Sequence, residues 1–118
     1  MKKERVWMDY AGDMYDNAQK ALTFVEGMTF SEFEANEQVQ YAVVRALELI
    51  GEAAKHIPDD VADRYPMIPW RSIRGMRDKL VHAYFGVDLL VVWLTVQEDL
   101  PILLTTLAQM QSDFDSGR

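Results

Sequence analysis

Apolar residues recur at intervals of three and four through most of the chain, the period of one helical face. Val6, Tyr10, Met14, Ala18, Ala21, Leu22 and Val25 mark a first helix from about Glu4 to Glu26, which Gly27 is placed to end. Ser31-Glu32-Phe33-Glu34 has the form of a capping box and opens one short turn. Asn36 then caps a second long helix, from Glu37 to about His56, stopped by Pro58. Its packing face is Val39, Val43, Ala46, Leu47, Ile50, Ala53 and Ala54, with Gly51 and the alanines small enough to admit a close neighbour. Asp59-Asp60 to Tyr65-Pro66 reads as a loop containing one short helical turn. Pro69 fits the start of a third helix from about Trp70 to Tyr84, striped by Trp70, Ile73, Met76, Leu80 and Tyr84 and ended by Gly86. Asp88 caps a fourth, beginning Leu89-Leu90-Val91-Val92-Trp93. Pro101 cannot donate to the carbonyl of Gln97, so a kink or a junction of two helices is expected before the pattern resumes through Leu104, Leu107 and Met110. The expected fold class is all-α: an up-and-down bundle of four to five helices, one domain spanning residues 1–118.

Length and composition fit that reading. A chain of 118 residues, 49% hydrophobic and 26% charged, supports one core and is too apolar for a disordered polymer. With no cysteine, disulfides, thiolate nucleophiles and Cys-based zinc sites are excluded. The start, Met1-Lys2-Lys3-Glu4-Arg5, leads into no apolar run and no stretch of about 20 apolar residues follows, so a cytoplasmic protein without membrane association is expected.

Charge changes the picture locally. The net charge of −7 repels a polyanion, so any nucleic-acid contact must be confined to a patch. Between Trp70 and Phe85 the balance reverses to +3, with Arg71, Arg74, Arg77 and Lys79 against Asp78 alone. Such a cluster is commonly a solvated helix face. Arg71 and Arg74, three apart, fit phosphate contacts and equally fit partners for surface acids. On the second helix Glu48, Glu52 and His56 stand four apart, but helical di-iron sites pair a Glu and a His three apart on two helices, and the chain has only one other His. No metal or other cofactor is expected.

That other histidine, His82, stands in Arg77-Asp78-Lys79-Leu80-Val81-His82-Ala83-Tyr84. Arg, four residues, His, one residue, Tyr resembles the signature of HEPN ribonucleases. The flanking Trp70-Arg71, Gly75-Met76-Arg77-Asp78, Val87-Asp88 and Trp93, with Arg45-Ala46-Leu47-Glu48-Leu49-Ile50-Gly51-Glu52-Ala53 upstream, look like the HepT-like branch of that superfamily. The resemblance covers the chain from the first helix through Pro101. It implies a homodimeric helical bundle acting as a metal-independent RNA endonuclease toxin on tRNA or mRNA. It also implies an antitoxin, a minimal nucleotidyltransferase of the MntA type, that adenylylates the motif tyrosine, here Tyr84. The competing expectation is a non-catalytic binding or scaffolding subunit of such a transferase; intact Arg77 and His82 favour the nuclease.

The residue types suit the chemistry. Cleaving RNA without metal needs a group to manage the proton of the 2′-hydroxyl or of the leaving oxygen, and a fixed cation for the charge on the transition state. Histidine titrates near neutrality, which fits His82 to the first task. Arginine stays charged and meets phosphate oxygens with a two-pronged fork, which fits Arg77 to the second. Asp78, one turn before His82, can orient the imidazole, and the Tyr84 phenol can bond phosphate or stack on a base. By pattern alone, Tyr84 continues the apolar stripe as core, and a lone histidine near a helix end is a capping or core residue. At about 100° per residue, Arg77 and Tyr84 lie about 20° apart on a straight helix while His82 points some 140° from Arg77. Either the helix ends near His82 or two chains share the site; the family resemblance implies the second, with two copies of the motif facing each other across a two-fold axis.

Overall fold

The computed structural model describes residues 5–76, 80 and 88–117, and every regular element among them is helical. Helix α1 (Trp7–Phe24) starts where the Asp9 carboxylate accepts from the Val6 amide at 3.1 Å. It runs out ahead of Gly27, which takes φ +76°, a left-handed conformation that a side chain would strain. Helix α2 (Phe30–Glu34) is one short turn, and its cap corrects the sequence reading by two residues. Thr29, not Ser31, opens it: the Glu32 amide donates to Thr29 Oγ1 at 3.2 Å and the Thr29 amide to Glu32 Oε1 at 2.9 Å. That amide, helped by the hydroxyl, holds the Glu32 carboxyl below its ordinary range. Asn36 caps α3 (Glu37–Ala54) as expected, accepting from the Val39 amide at 3.1 Å.

Helix α4 (Asp59–Ala62) is the short acidic turn after Pro58, and α5 (Trp70–Arg74) follows Pro69. Beyond Arg74, Met76 and Leu80 are buried, continuing the expected stripe with Ile73, whereas the expected end of this helix at Gly86 lies outside the described residues. Asp88 caps α6 (Leu89–Leu94), accepting from the Val91 amide at 3.1 Å. The helix does not stop at the proline. Thr95–Asp99 form a π-helical turn in which the Leu100 amide reaches back five residues to Thr95, and α7 (Leu100–Asp115) begins with Pro101 in its first turn. A wide turn gives the pyrrolidine ring room that a regular α-turn denies, so the expected kink or junction takes the form of a π-turn within one helical run from Leu89 to Asp115. By length and composition that run, with mean hydropathy 1.4 over its most apolar stretch, is long and apolar enough to cross a membrane, which the sequence reading had missed. Its Val92, Val96, Leu100, Leu103, Leu107 and Met110 are all buried in the protein core.

Helix α1 lies between α3 and α7. Tyr10, near its start, stacks on His56 just past the end of α3, with ring centres 4.0 Å apart and planes 10° apart. Trp7 meets Phe114, near the end of α7, edge to face at 5.3 Å. Both contacts make α1 antiparallel to its neighbours. The small buried residues Ala11, Ala18 and Ala21 let the helices close in, with Met14, Leu47, Ile50 and Leu107 filling the space. Val6, counted with the apolar face from sequence, is half exposed, since it precedes the helix as its cap. Trp93 of α6 packs on Phe33 and Phe30 of α2. Tyr65 donates to Asp113 Oδ2 at 2.6 Å, tying the loop before α5 to α7, and burial together with that carboxylate pushes the phenol above its ordinary range.

The tightest passage is at Gly51. A Cβ there would stand 2.9 Å from the Ile73 carbonyl oxygen and 3.1 Å from Met76 Cβ. Gly51→Ala gains helix propensity of about 1 kcal/mol but must displace backbone, a strain of about 1–3 kcal/mol. The expected net result is a lower unfolding midpoint, read by urea denaturation; a midpoint at or above the parent's would show that α5 yields freely.

Candidate active site

The basic segment is held at both ends by α3. At one end Ile73 and Met76 press on Gly51. At the other, Leu89 lies beside Tyr41 and Val44, two turns or more back along the same helix. Met76 thus lies at the C-terminal half of α3 and Leu89 nearer its start. The interval between them contains the sequence-expected site: Arg77, Asp78, His82 and Tyr84 all lie outside the described residues.

Of the expected phosphate contacts, the structure describes two, and it treats them differently. Arg74 is enclosed by acceptors. Its Nε donates to the Ala54 carbonyl at 3.0 Å, Nη2 to the Ile57 carbonyl at 2.7 Å, and Nη1 to Asp59 Oδ1 at 3.2 Å. Ala54 ends α3; its carbonyl takes a 3.3 Å bond from the Ile57 amide in the turn that follows, and the guanidinium adds a second, shorter one while placing a cation at the negative end of the helix dipole. The same guanidinium lies 5.5 Å from the centre of the Trp70 ring, whose Nε1 donates to the Tyr65 carbonyl at 3.0 Å. Arg71, one turn earlier, is exposed and enters none of the ion pairs among the described residues.

The polar stripe of α3 likewise divides. His56 is occupied by its stack on Tyr10. Glu48 is 3.9 Å from Arg45 Nη1, a loose pair. Among the described residues no group of three or more His, Cys, Asp or Glu is placed to hold a metal ion. Nearer the start of α3, Glu37, Gln40, Tyr41 and Val44 join Leu89 around a cavity of about 150 Å³. The Gln40 amide is fixed there by two bonds from Nε2, to the carbonyls of Phe33 and Glu34, both at 2.9 Å. Sequence reasoning missed this cavity, since it took α3 as a packing face below and a polar stripe above. The clue was an aromatic, Tyr41, among polar residues at the helix start.

The comparisons supply the class first. The ribonuclease HepT-like family model matches residues 14–110, which covers most of the chain and the whole basic segment. The chain belongs to the HepT-like ribonuclease family. It is 47% identical over 100 residues to a protein of Thermococcus cleftensis named as a probable ribonuclease HepT, a match covering 85% of this chain and 91% of that one. A candidate RNase of Methanocaldococcus jannaschii is 47% identical over 89 residues, covering 75% of this chain and 74% of its own. One from Caldanaerobacter subterraneus is 35% identical over 103 residues, covering 87% and 89%. No solved structure gives a significant match.

The two arginines give opposite expectations. Arg74→Ala removes the donor to the Ile57 carbonyl and one of the two donors to the Ala54 carbonyl and should cost about 1–3 kcal/mol, with Arg74→Lys recovering only part because one ammonium cannot span three acceptors. Arg71→Ala should stay within about 0.5 kcal/mol of the parent. Urea midpoints test both; an Arg74→Ala protein as stable as the parent would free Arg74 for a role at the surface.

Proposed function

We propose that this chain is a metal-independent endoribonuclease that acts in the cytoplasm as the toxin of a toxin–antitoxin pair. The observation that carries the reading is Arg77, His82 and Tyr84 at the motif spacing, inside the family match and within a segment of +3 charge in a protein of −7. The 2′-oxygen of one nucleotide attacks the adjoining phosphorus as its proton passes to one histidine. The bond to the 5′-oxygen breaks, that oxygen takes a proton from a second histidine, and a 2′,3′-cyclic phosphate and a 5′-hydroxyl are left. Arg77 neutralises the non-bridging oxygens as charge builds on them.

Two histidines at one phosphate require two copies of the chain. The helix-wheel separation of Arg77 and His82 supports this, as does the surface of α6: Leu90, Val91 and Leu94 are 47%, 38% and 40% exposed, an apolar strip that a second copy would cover. Tyr84 is the point of control. A minimal nucleotidyltransferase antitoxin attaches AMP to its phenol oxygen and releases pyrophosphate from ATP, placing a phosphodiester and a base where substrate should lie.

His82→Ala and Arg77→Ala should each lower cleavage of labelled RNA by about 10²-fold or more, with helical circular dichroism retained and parent activity undiminished by chelator. A folded His82→Ala protein that cleaves at the parent rate removes the assignment and leaves the transferase-scaffold reading. Light scattering should give twice the chain mass. Incubation with the transferase, ATP and magnesium should add one adenylate to the parent and none to Tyr84→Phe; an adduct on both would move control elsewhere.

A further inference from the structure

We propose that the cavity between α3 and α6 is a nucleobase subsite that reads guanine in the RNA strand; the inference rests on the ribonuclease reading for the presence of RNA. A base needs a flat surface to stack on, apolar walls around its ring and partners for its polar edge. Tyr41, 50% exposed, offers the ring, while Val44 and Leu89 form walls. The edge partners are Glu37 and Gln40, and their hydrogen-bonding character is settled by their surroundings. Both donor hydrogens of Gln40 Nε2 are held by the Phe33 and Glu34 carbonyls, which leaves Oε1 as the amide's remaining group, an acceptor. The Glu37 carboxylate, exposed at the first turn of α3, also only accepts.

A carboxylate at the edge of the cavity discriminates among bases. Guanine presents N1–H and the 2-amino group side by side, two donors to one carboxylate in the bidentate manner. Adenine and cytosine each offer one amino group beside a ring nitrogen whose lone pair would face the carboxylate. Uracil offers one N–H between two carbonyls and is repelled on both sides. The carboxylate thus converts a stacking surface that tolerates any base into one that selects.

Location makes the choice matter for cleavage. Leu89 follows His82 by seven residues, which caps their separation at about 25 Å and keeps the base within a few nucleotides of the scissile phosphate. Arg45, one turn along α3 from Tyr41, is 61% exposed and only loosely paired with Glu48, so a cation stands beside the path of the strand.

The test uses the full chain and single-stranded RNAs of about 12 nucleotides that differ at one position: guanosine, inosine, which lacks the 2-amino group, or uridine. Cleavage by the parent on RNA of mixed sequence is mapped, and affinity is measured on His82→Ala protein by fluorescence anisotropy. Cuts should fall at one fixed offset from guanosine. Inosine for guanosine should weaken binding roughly 10-fold, the loss of one bond to a charged acceptor. Glu37→Gln should erase the difference between the two. Tyr41→Ala should weaken binding to every RNA by roughly 10- to 100-fold, and Tyr41→Phe should restore it. Cleavage without regard to guanosine, with affinity indifferent to inosine, overturns the subsite and leaves the ribonuclease standing. Guanosine-selective binding without cleavage supports the subsite and removes the ribonuclease reading. Indifference in both assays removes both.

Discussion

The seating of α5 on α3 depends on one close contact, the Ile73 carbonyl against the backbone of α3 at Gly51. At 2.9 Å from the place a Cβ would occupy, the carbonyl fits only because that atom is missing. A larger residue would push α5 outward, and Met76 with it. Arg74 fastens the same junction from the other side, bridging α5 to the last carbonyls of α3 and to Asp59. The contact and the clasp work together because both act within one turn of α5. One sets how near the segment can come, and the other holds it there.

This division of labour alters the electrostatics of the segment. Counted from sequence, four cations oppose one acid between Trp70 and Phe85. One of the four, Arg74, is neutralised locally by two carbonyl dipoles and a carboxylate, so its field towards solvent is small. Arg71 keeps its exposure and its charge. The two described cations therefore differ, Arg74 clasping the end of α3 and Arg71 exposed, and charge counting weights them equally.

Much of the fold was legible because it is written in local rules. Asn36 and Asp88 cap the helices they were expected to cap, Gly27 ends α1 in a left-handed conformation, and the 3.6-residue period identified the buried faces. The misses have physical causes. Thr29 displaced Ser31 because a cap is fixed by which hydroxyl meets the third amide of the turn, and two overlapping boxes, Thr29 with Glu32 and Ser31 with Glu34, give a sequence no means to choose. Pro101 was read as a kink or a junction of two helices, and what stands before it is a π-turn joining two α-helical stretches, a form that the penalty for proline in a regular α-turn does not specify. Arg74 and Gln40 were unreadable in role, because their partners are backbone carbonyls at helix ends, and carbonyls have no residue identity to match. Of the site, the motif itself was legible by spacing, whereas the cavity around Tyr41 forms only when α6 is brought to the start of α3.

An acidic protein that handles RNA must obtain its affinity from few contacts. The net charge of −7 opposes approach at long range, and the described residues offer Arg71 and Arg45 as exposed cations on α5 and α3. Each neutralised phosphate contributes close to one unit of salt dependence, so a site with few such contacts binds weakly and with a shallow salt slope. Phosphate contacts also carry no sequence information. Weak general attraction combined with base-edge contacts favours selectivity over strength, because the wrong strand gains little from the backbone and loses at the edge. In that balance a carboxylate beside an RNA strand is not a fault in the charge pattern. It raises the cost of every base that cannot donate to it, and the low background of phosphate attraction keeps that cost from being hidden.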